Sequence, residues 1–162
     1  MTLNIEAAQH IGELLKAKNE TVAVAESSTG GMISAALLAV PGASAYYQGG
    51  AVIYTLRARR ELLGIDKDSL DKQEPLSESY VTLCAEKIRS RMKATWGVAE
   101  LGATGPAGTP YGHGPGICAL AVVGPTNGVQ IIQTNHGDRE RNMEHFCNSA
   151  LSLLREQLGE NS

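Results

Sequence analysis

The stretch Ala25-Glu26-Ser27-Ser28-Thr29-Gly30-Gly31 constrains this chain most. It follows a short apolar run, Thr21-Val22-Ala23-Val24, and precedes an apolar stretch with helical spacing, Met32 to Val40. That order predicts a buried strand over Thr21–Ala25, a turn at its carboxyl end, and a helix to about Val40. Such a turn aims unpaired backbone N–H groups at one point, with the positive end of the helix dipole behind them. Adjacent glycines let a ligand approach the backbone closely. Three hydroxyls (Ser27, Ser28, Thr29) and the Glu26 carboxylate share the turn. A plainer reading is available: Ser28 or Thr29 caps the helix and the glycines ease packing.

The other segments continue the alternation. Leu3–Lys18 places Leu3, Ala7, Ile11, Leu14 and Leu15 on one helical face. Pro41-Gly42 ends the second helix. Ala51–Tyr54 predicts a second strand. Thr55–Leu63 predicts a short helix, stopped by Gly64, with Arg57, Arg59 and Arg60 within four residues. Those arginines read either as a solvated basic face or as an anion-binding group near a strand end. Ile65–Glu74 reads as a polar loop. Ser77 is the predicted N-cap of a helix to about Lys93. Trp96–Ala103 is a third strand, in which Glu100 is out of place, set either at an edge or into a site.

Gly102 to Gly116, GATGPAGTPYGHGPG, holds too many Gly and Pro for regular structure. A loop that long inside a compact domain is usually functional or mobile. Ile117–Val123 is a fourth strand. Pro125–Gly128 reads as a hairpin turn, making Val129–Asn135 antiparallel to the fourth strand. A last helix opens at Gly137-Asp138-Arg139, with Met143, Phe146, Ala150, Leu153 and Leu154 inward, and the tail frays from Gly159. The expected fold is therefore α/β: three layers, α/β/α, around a mixed, mostly parallel sheet of about five strands. Ligands of such sheets bind beyond the carboxyl ends of the strands. The Ser27 turn, the Tyr54–Arg60 turn and the Ala103–Gly116 loop all leave such ends.

With 162 residues, one domain over 1–162 is expected. A net charge of −3 with no basic stretch argues against nucleic acid and acidic membrane as partners. No apolar run approaches the roughly 20 residues needed to cross a bilayer. The scattered Cys84, Cys118 and Cys147 suggest reduced thiols and a cytoplasmic protein. Neither they nor the four histidines have metal-ligand spacing, so no metal and no cofactor are expected. His10 and His145 read as helix-face residues. His136 beside Asp138 invites a Ser–His–Asp set, which spacing alone does not establish.

These motifs, in order and near-spacing, resemble the CinA C-terminal domain family, which includes bacterial nicotinamide-nucleotide amidases. The matching residues are AESSTGG at Ala25–Gly31, PGAS at Pro41–Ser44, GGAVIY at Gly49–Tyr54, LLG at Leu62–Gly64, PLSES at Pro75–Ser79, GATGPAG at Gly102–Gly108 and GDR at Gly137–Arg139. The resemblance spans almost the whole chain and takes the stand-alone form. It implies hydrolysis of the nicotinamide mononucleotide carboxamide to the acid and ammonia by a Ser–Lys mechanism. Carried over by position, Ser27 is the nucleophile, Tyr54 assists, and the amides around Thr29–Gly31, with Thr104 and Gly105, hold phosphate or oxyanion. It also implies a homo-oligomer, for which an exposed Tyr46-Tyr47 pair is a candidate contact.

The departures set a second expectation. The family's cysteine in the turn is Ser28 here, and its glycine-rich loop is shorter here, without the acidic turn after GPAG. The lysine position is Arg59, in Thr55-Leu56-Arg57-Ala58-Arg59. Arginine, with a pKa above about 12, keeps its proton and is no general base near neutrality. Its fork still binds phosphate or carboxylate. His113 in the glycine-rich loop is a candidate substitute base. Two readings stand: an amidohydrolase using Ser27, Tyr54 and Arg59, or a degenerate member that binds a small nucleotide-like or phosphorylated ligand. The expected ligand-binding residues are Glu26, Ser28, Thr29, Gly30, Gly31, Arg57, Thr104, Gly105 and His113.

Overall fold

Parallel strands need crossovers, and each crossover here carries helix that covers one face of the sheet. In the computed structural model, which describes residues 1–159, β1 (Val22–Glu26), β2 (Tyr47–Val52) and β3 (Trp96–Ala103) run parallel, while β4 (Ile117–Val123) and β5 (Gly128–Gln133) turn back as antiparallel hairpin strands. The sheet order is β2-β1-β3-β4-β5. Helices α1 (Ile5–Lys18), α2 (Met32–Leu38) and α6 (Arg139–Gln157) pack into one apolar cluster with Val22, Val24, Trp96, Val98 and Leu120. Helix α5 (Glu78–Met92) packs on the other face, over Ala23, Ala25, Ala99 and Leu101. Period-two alternation along β1 and β3 thus feeds two cores. This is the three-layer α/β/α arrangement with a mixed sheet that the pattern predicted.

Four local expectations change. The second strand is Tyr47–Val52, earlier than Ala51–Tyr54, because Gly49 and Gly50 pair with Ala23 and Val24. Tyr54 therefore follows the strand and heads for α3 (Leu56–Leu63). The loop over 65–74 contains a short helix, α4 (Lys67–Asp71), whose N-cap Asp66 accepts the Ser69 N–H at 2.7 Å. The Tyr46-Tyr47 pair is not an exposed contact. Tyr46 is fully buried and donates its hydroxyl proton to Leu37 O at 2.6 Å, while Tyr47 is half-buried. Neither Ser28 nor Thr29 caps α2; the Glu26 carboxylate does, as described below. The expected tail beyond Gly159 lies outside the described residues. No helix among them is long and apolar enough to cross a membrane.

Helix α5 crosses β3 so closely that Gly97 has no room for a side chain. A Cβ there would collide with Ala85 O and sit 2.7 Å from Arg89 Cβ. Backbone contacts of this kind are not relieved by a rotamer change. Gly97→Ala is expected to cost about 1–3 kcal/mol of stability, read as a lower urea midpoint at unchanged slope.

Candidate ligand-binding site

Because β1, β2 and β3 are parallel, the segments leaving their carboxyl ends meet along one edge of the sheet. They enclose a cleft of about 510 Å³. Ser27 comes from the turn after β1, Tyr54 and Arg59 from the segment after β2, and Leu101, Gly102, Thr109, Pro110 and Tyr111 from β3 and its loop. Pro75, Leu76 and Tyr80 close the side nearest α5. The volume suits a small organic ligand.

Arg59 is the polar centre. Its Nε donates to Ile53 O at 3.0 Å, Nη1 to Tyr80 Oη at 2.8 Å, and Nη2 to Ser27 Oγ at a long 3.5 Å. The guanidinium carbon lies 5.2 Å from the centre of the Tyr80 ring. No carboxylate forms an ion pair with Arg59 among the described residues. Burial pushes the Tyr80 phenol up, and the Arg59 hydrogen bond and charge oppose only part of this. Tyr80 therefore stays protonated near neutrality. Asp71, a carboxylate at the cleft wall, is taken by Lys67 at 3.0 Å.

The other expected residues separate into those at the cleft and those away from it. Tyr54 lines it but is 57% exposed and accepts from Arg139 Nη2 at 3.3 Å, not from Ser27. Arg57 is exposed in an adjoining groove of about 460 Å³, shared with Arg60, Glu61 and Lys67. His113 stands behind the cleft wall, its Nδ1 3.0 Å from Thr109 Oγ1. His136 Nδ1 accepts the Asp138 N–H at 3.3 Å, and neither residue lines the cleft with Ser27. Thr104 is buried, its carbonyl bound by Asn142 Nδ2 at 2.8 Å, and Gly105 O accepts from Arg139 Nη1.

Glu26, Ser28 and Thr29 face away from the cleft, under the turn. Glu26 caps α2 by accepting the Ile33 N–H at 3.1 Å, the Ser34 N–H at 3.0 Å and the Ser34 hydroxyl at 2.8 Å. Of the turn's amides, the Thr29 N–H goes to Glu100 Oε2 at 3.1 Å and the Gly30 N–H to Ser27 O at 3.1 Å. Both already have protein partners. Gly31, at φ +108°, has open space where a Cβ would stand.

Sequence reasoning did not find Tyr80, which holds Arg59, or Tyr111 and Pro110, which wall the cleft. No local pattern marks Tyr80, while Pro110 and Tyr111 sit in the glycine-rich loop already singled out, without a signal of their own. Glu100 did carry a signal, as a carboxylate inside an apolar strand.

The CinA C-terminal domain model matches residues 4–158. A CinA-like protein of Cyanothece sp. is 35% identical over 154 residues, covering 93% of this chain. One of Gloeobacter violaceus is 37% identical over 147 residues, covering 90%. The chain spans only 37% and 34% of those two relatives' lengths. Among solved structures, the competence damage-inducible protein A (ComA) of Klebsiella pneumoniae superposes with a TM-score of 0.90 at 26% identity, covering 99% of this chain and 100% of that one. The competence/damage inducible protein CihA of Agrobacterium tumefaciens does so at 0.85 and 28%, with 99% and 100% covered.

Cysteine chemistry is closed off. All three thiols are buried. Burial pushes Cys84 and Cys147 up to about 12 and Cys118 well above the ordinary thiol range. The thiolate is the reactive species. Ellman's reagent at pH 8 is expected to find no fast-reacting thiol in the native protein and three after denaturation.

Proposed function

Because the chain belongs to the CinA C-terminal domain family, we propose that the Ser27 cleft binds a nucleotide-like or phosphorylated small molecule and holds it without efficient hydrolysis. The observation that carries this reading is the Arg59 guanidinium at Ser27 Oγ, with no carboxylate paired to it. A serine becomes a nucleophile as a base takes its proton. Arg59 stays protonated and donates to the hydroxyl, so it stands where a proton acceptor is required. Tyr80 keeps its proton as well, and His113 is not among the residues at the cleft. Loss of a general base typically removes roughly 10²–10⁴ of rate.

What disables hydrolysis suits anion binding. A guanidinium has five N–H donors, and Arg59 has committed three of them. The remaining two suit a phosphate or carboxylate oxygen pair. The exposed Tyr54 and Tyr111 rings suit a flat ring at the mouth. Residence in the cytoplasm is supported by three separate, buried, unpaired thiols.

Nicotinamide mononucleotide, titrated calorimetrically, is the first probe. Arg59→Ala is expected to weaken its binding by roughly 10- to 150-fold, the usual worth of a charge-assisted hydrogen bond. Arg57→Ala, in the neighbouring groove, is expected to change it less than about twofold. Equal affinity of wild type and Arg59→Ala contradicts the reading.

A further inference from the structure

Glu100 and Glu26 are cross-strand neighbours in the β1–β3 pair, on the same face of the sheet. Glu100 is 0% exposed and Glu26 1%. No cation forms an ion pair with either among the described residues. Two unneutralised charges side by side in such a place would repel strongly and lack solvation.

The hydrogen atoms can be counted. Thr29 Oγ1 lies 2.7 Å from Glu26 Oε1 and 2.9 Å from Glu100 Oε2. A hydroxyl has one hydrogen, so it can donate to one of these oxygens only. With both carboxyls ionised, the other contact would be bare oxygen against oxygen. One proton on Glu100 resolves this, because its carboxyl then donates to the Thr29 hydroxyl, which donates to Glu26.

Glu100 also reaches the turn on both sides of Ser27. Its Oε2 accepts the Ser27 N–H at 2.9 Å, shared with the Glu100 backbone O at 3.0 Å, and the Thr29 N–H at 3.1 Å, and Oε1 accepts from the Ser28 hydroxyl. Gly102 leaves room for this: a Cβ there would strike Ser28 Oγ and stand 2.8 Å from Glu100 Oε1. We propose that Glu100, holding a proton that it donates to the Thr29 hydroxyl, is the positioning residue that fixes the Ser27 turn at the cleft.

The surroundings agree. Besides Glu26 on β1, the titratable groups near the pair are Cys118 on β4, Cys147 on α6 and Tyr47 on β2. Burial is the largest cause holding each above its ordinary value, so all three are neutral and none offsets a charge. Burial likewise holds the Glu100 carboxyl above the ordinary 4.5, and its hydrogen bonds from Ser28, Thr29 and Ser27 oppose only part of that. A value raised in the folded state contributes stability that is complete below pH 4.5 and lost as pH rises through the folded value.

The test compares wild type with Glu100→Gln, which has the same shape and is permanently neutral. Melting temperatures are taken from about pH 5 to about pH 8. The variant is expected to gain on wild type as pH rises, by roughly 3 °C or more across the range. A residue that only filled space would give a difference flat in pH, and that result overturns the proton on Glu100. Amide hydrogen exchange then tests positioning. Glu100→Ala is expected to speed exchange at Thr29, whose N–H goes to the side chain, at least roughly tenfold while β4 amides keep their protection. Unchanged exchange at Thr29 overturns the positioning role. If Glu100→Ala does not fold, Glu100→Gln is expected to retain protection there, and its loss overturns the proposal.

Discussion

A buried carboxyl group needs hydrogen-bond donors, and Glu100 finds most of its donors in the turn that carries Ser27. The turn in turn has few other anchors beneath it. Glu26 supplies the second, joining Thr29 to the first turn of α2. Strand β1, strand β3 and helix α2 are thereby locked at one point. The cleft inherits its geometry from that lock. Ser27 is held from below by its backbone, which leaves its hydroxyl on the cleft side with Arg59.

The remaining wall is set by the parallel register. Because β2 and β3 flank β1 in the same direction, Arg59 and the loop after β3 arrive at the same edge as Ser27. Arg139, at the start of α6, bridges the two by donating to both Gly105 O and Tyr54 Oη. The site is thus assembled from four segments that are far apart in the chain. What it can do chemically depends on Arg59. A permanent cation stabilises an anion and cannot accept a proton from serine.

Much of this was legible in the sequence where the physics is local. The helical periodicity of the first and last helices, the Ser77 cap and the hairpin at Pro125–Gly128 all follow from nearby residues, and all are found. The convergence of three turns followed from the alternation of strands and helices. The errors arose where tertiary contacts decide. The second strand begins earlier than Ala51 because Gly49 and Gly50 pair with Ala23 and Val24, with the register shifting just before them and Gly50 too close to Val24 O for a Cβ. Tyr46 looked like a surface aromatic, but a partner for its hydroxyl at Leu37 O lets it be buried. The roles of Glu26, Ser28 and Thr29 were read as facing a ligand. A turn has two sides, and sequence does not say which one a hydroxyl takes. Tyr80 was invisible because its place at the cleft wall, against Arg59, comes only from folding.

The most direct measurement is ammonia release from nicotinamide mononucleotide by wild type and Arg59→Lys, assayed side by side. With a permanent cation in place of a base, wild type should be at least roughly 10²-fold slower than the lysine variant. Wild-type turnover equal to that of Arg59→Lys, and abolished in Ser27→Ala, would contradict the account. It would mean that another group takes the serine proton.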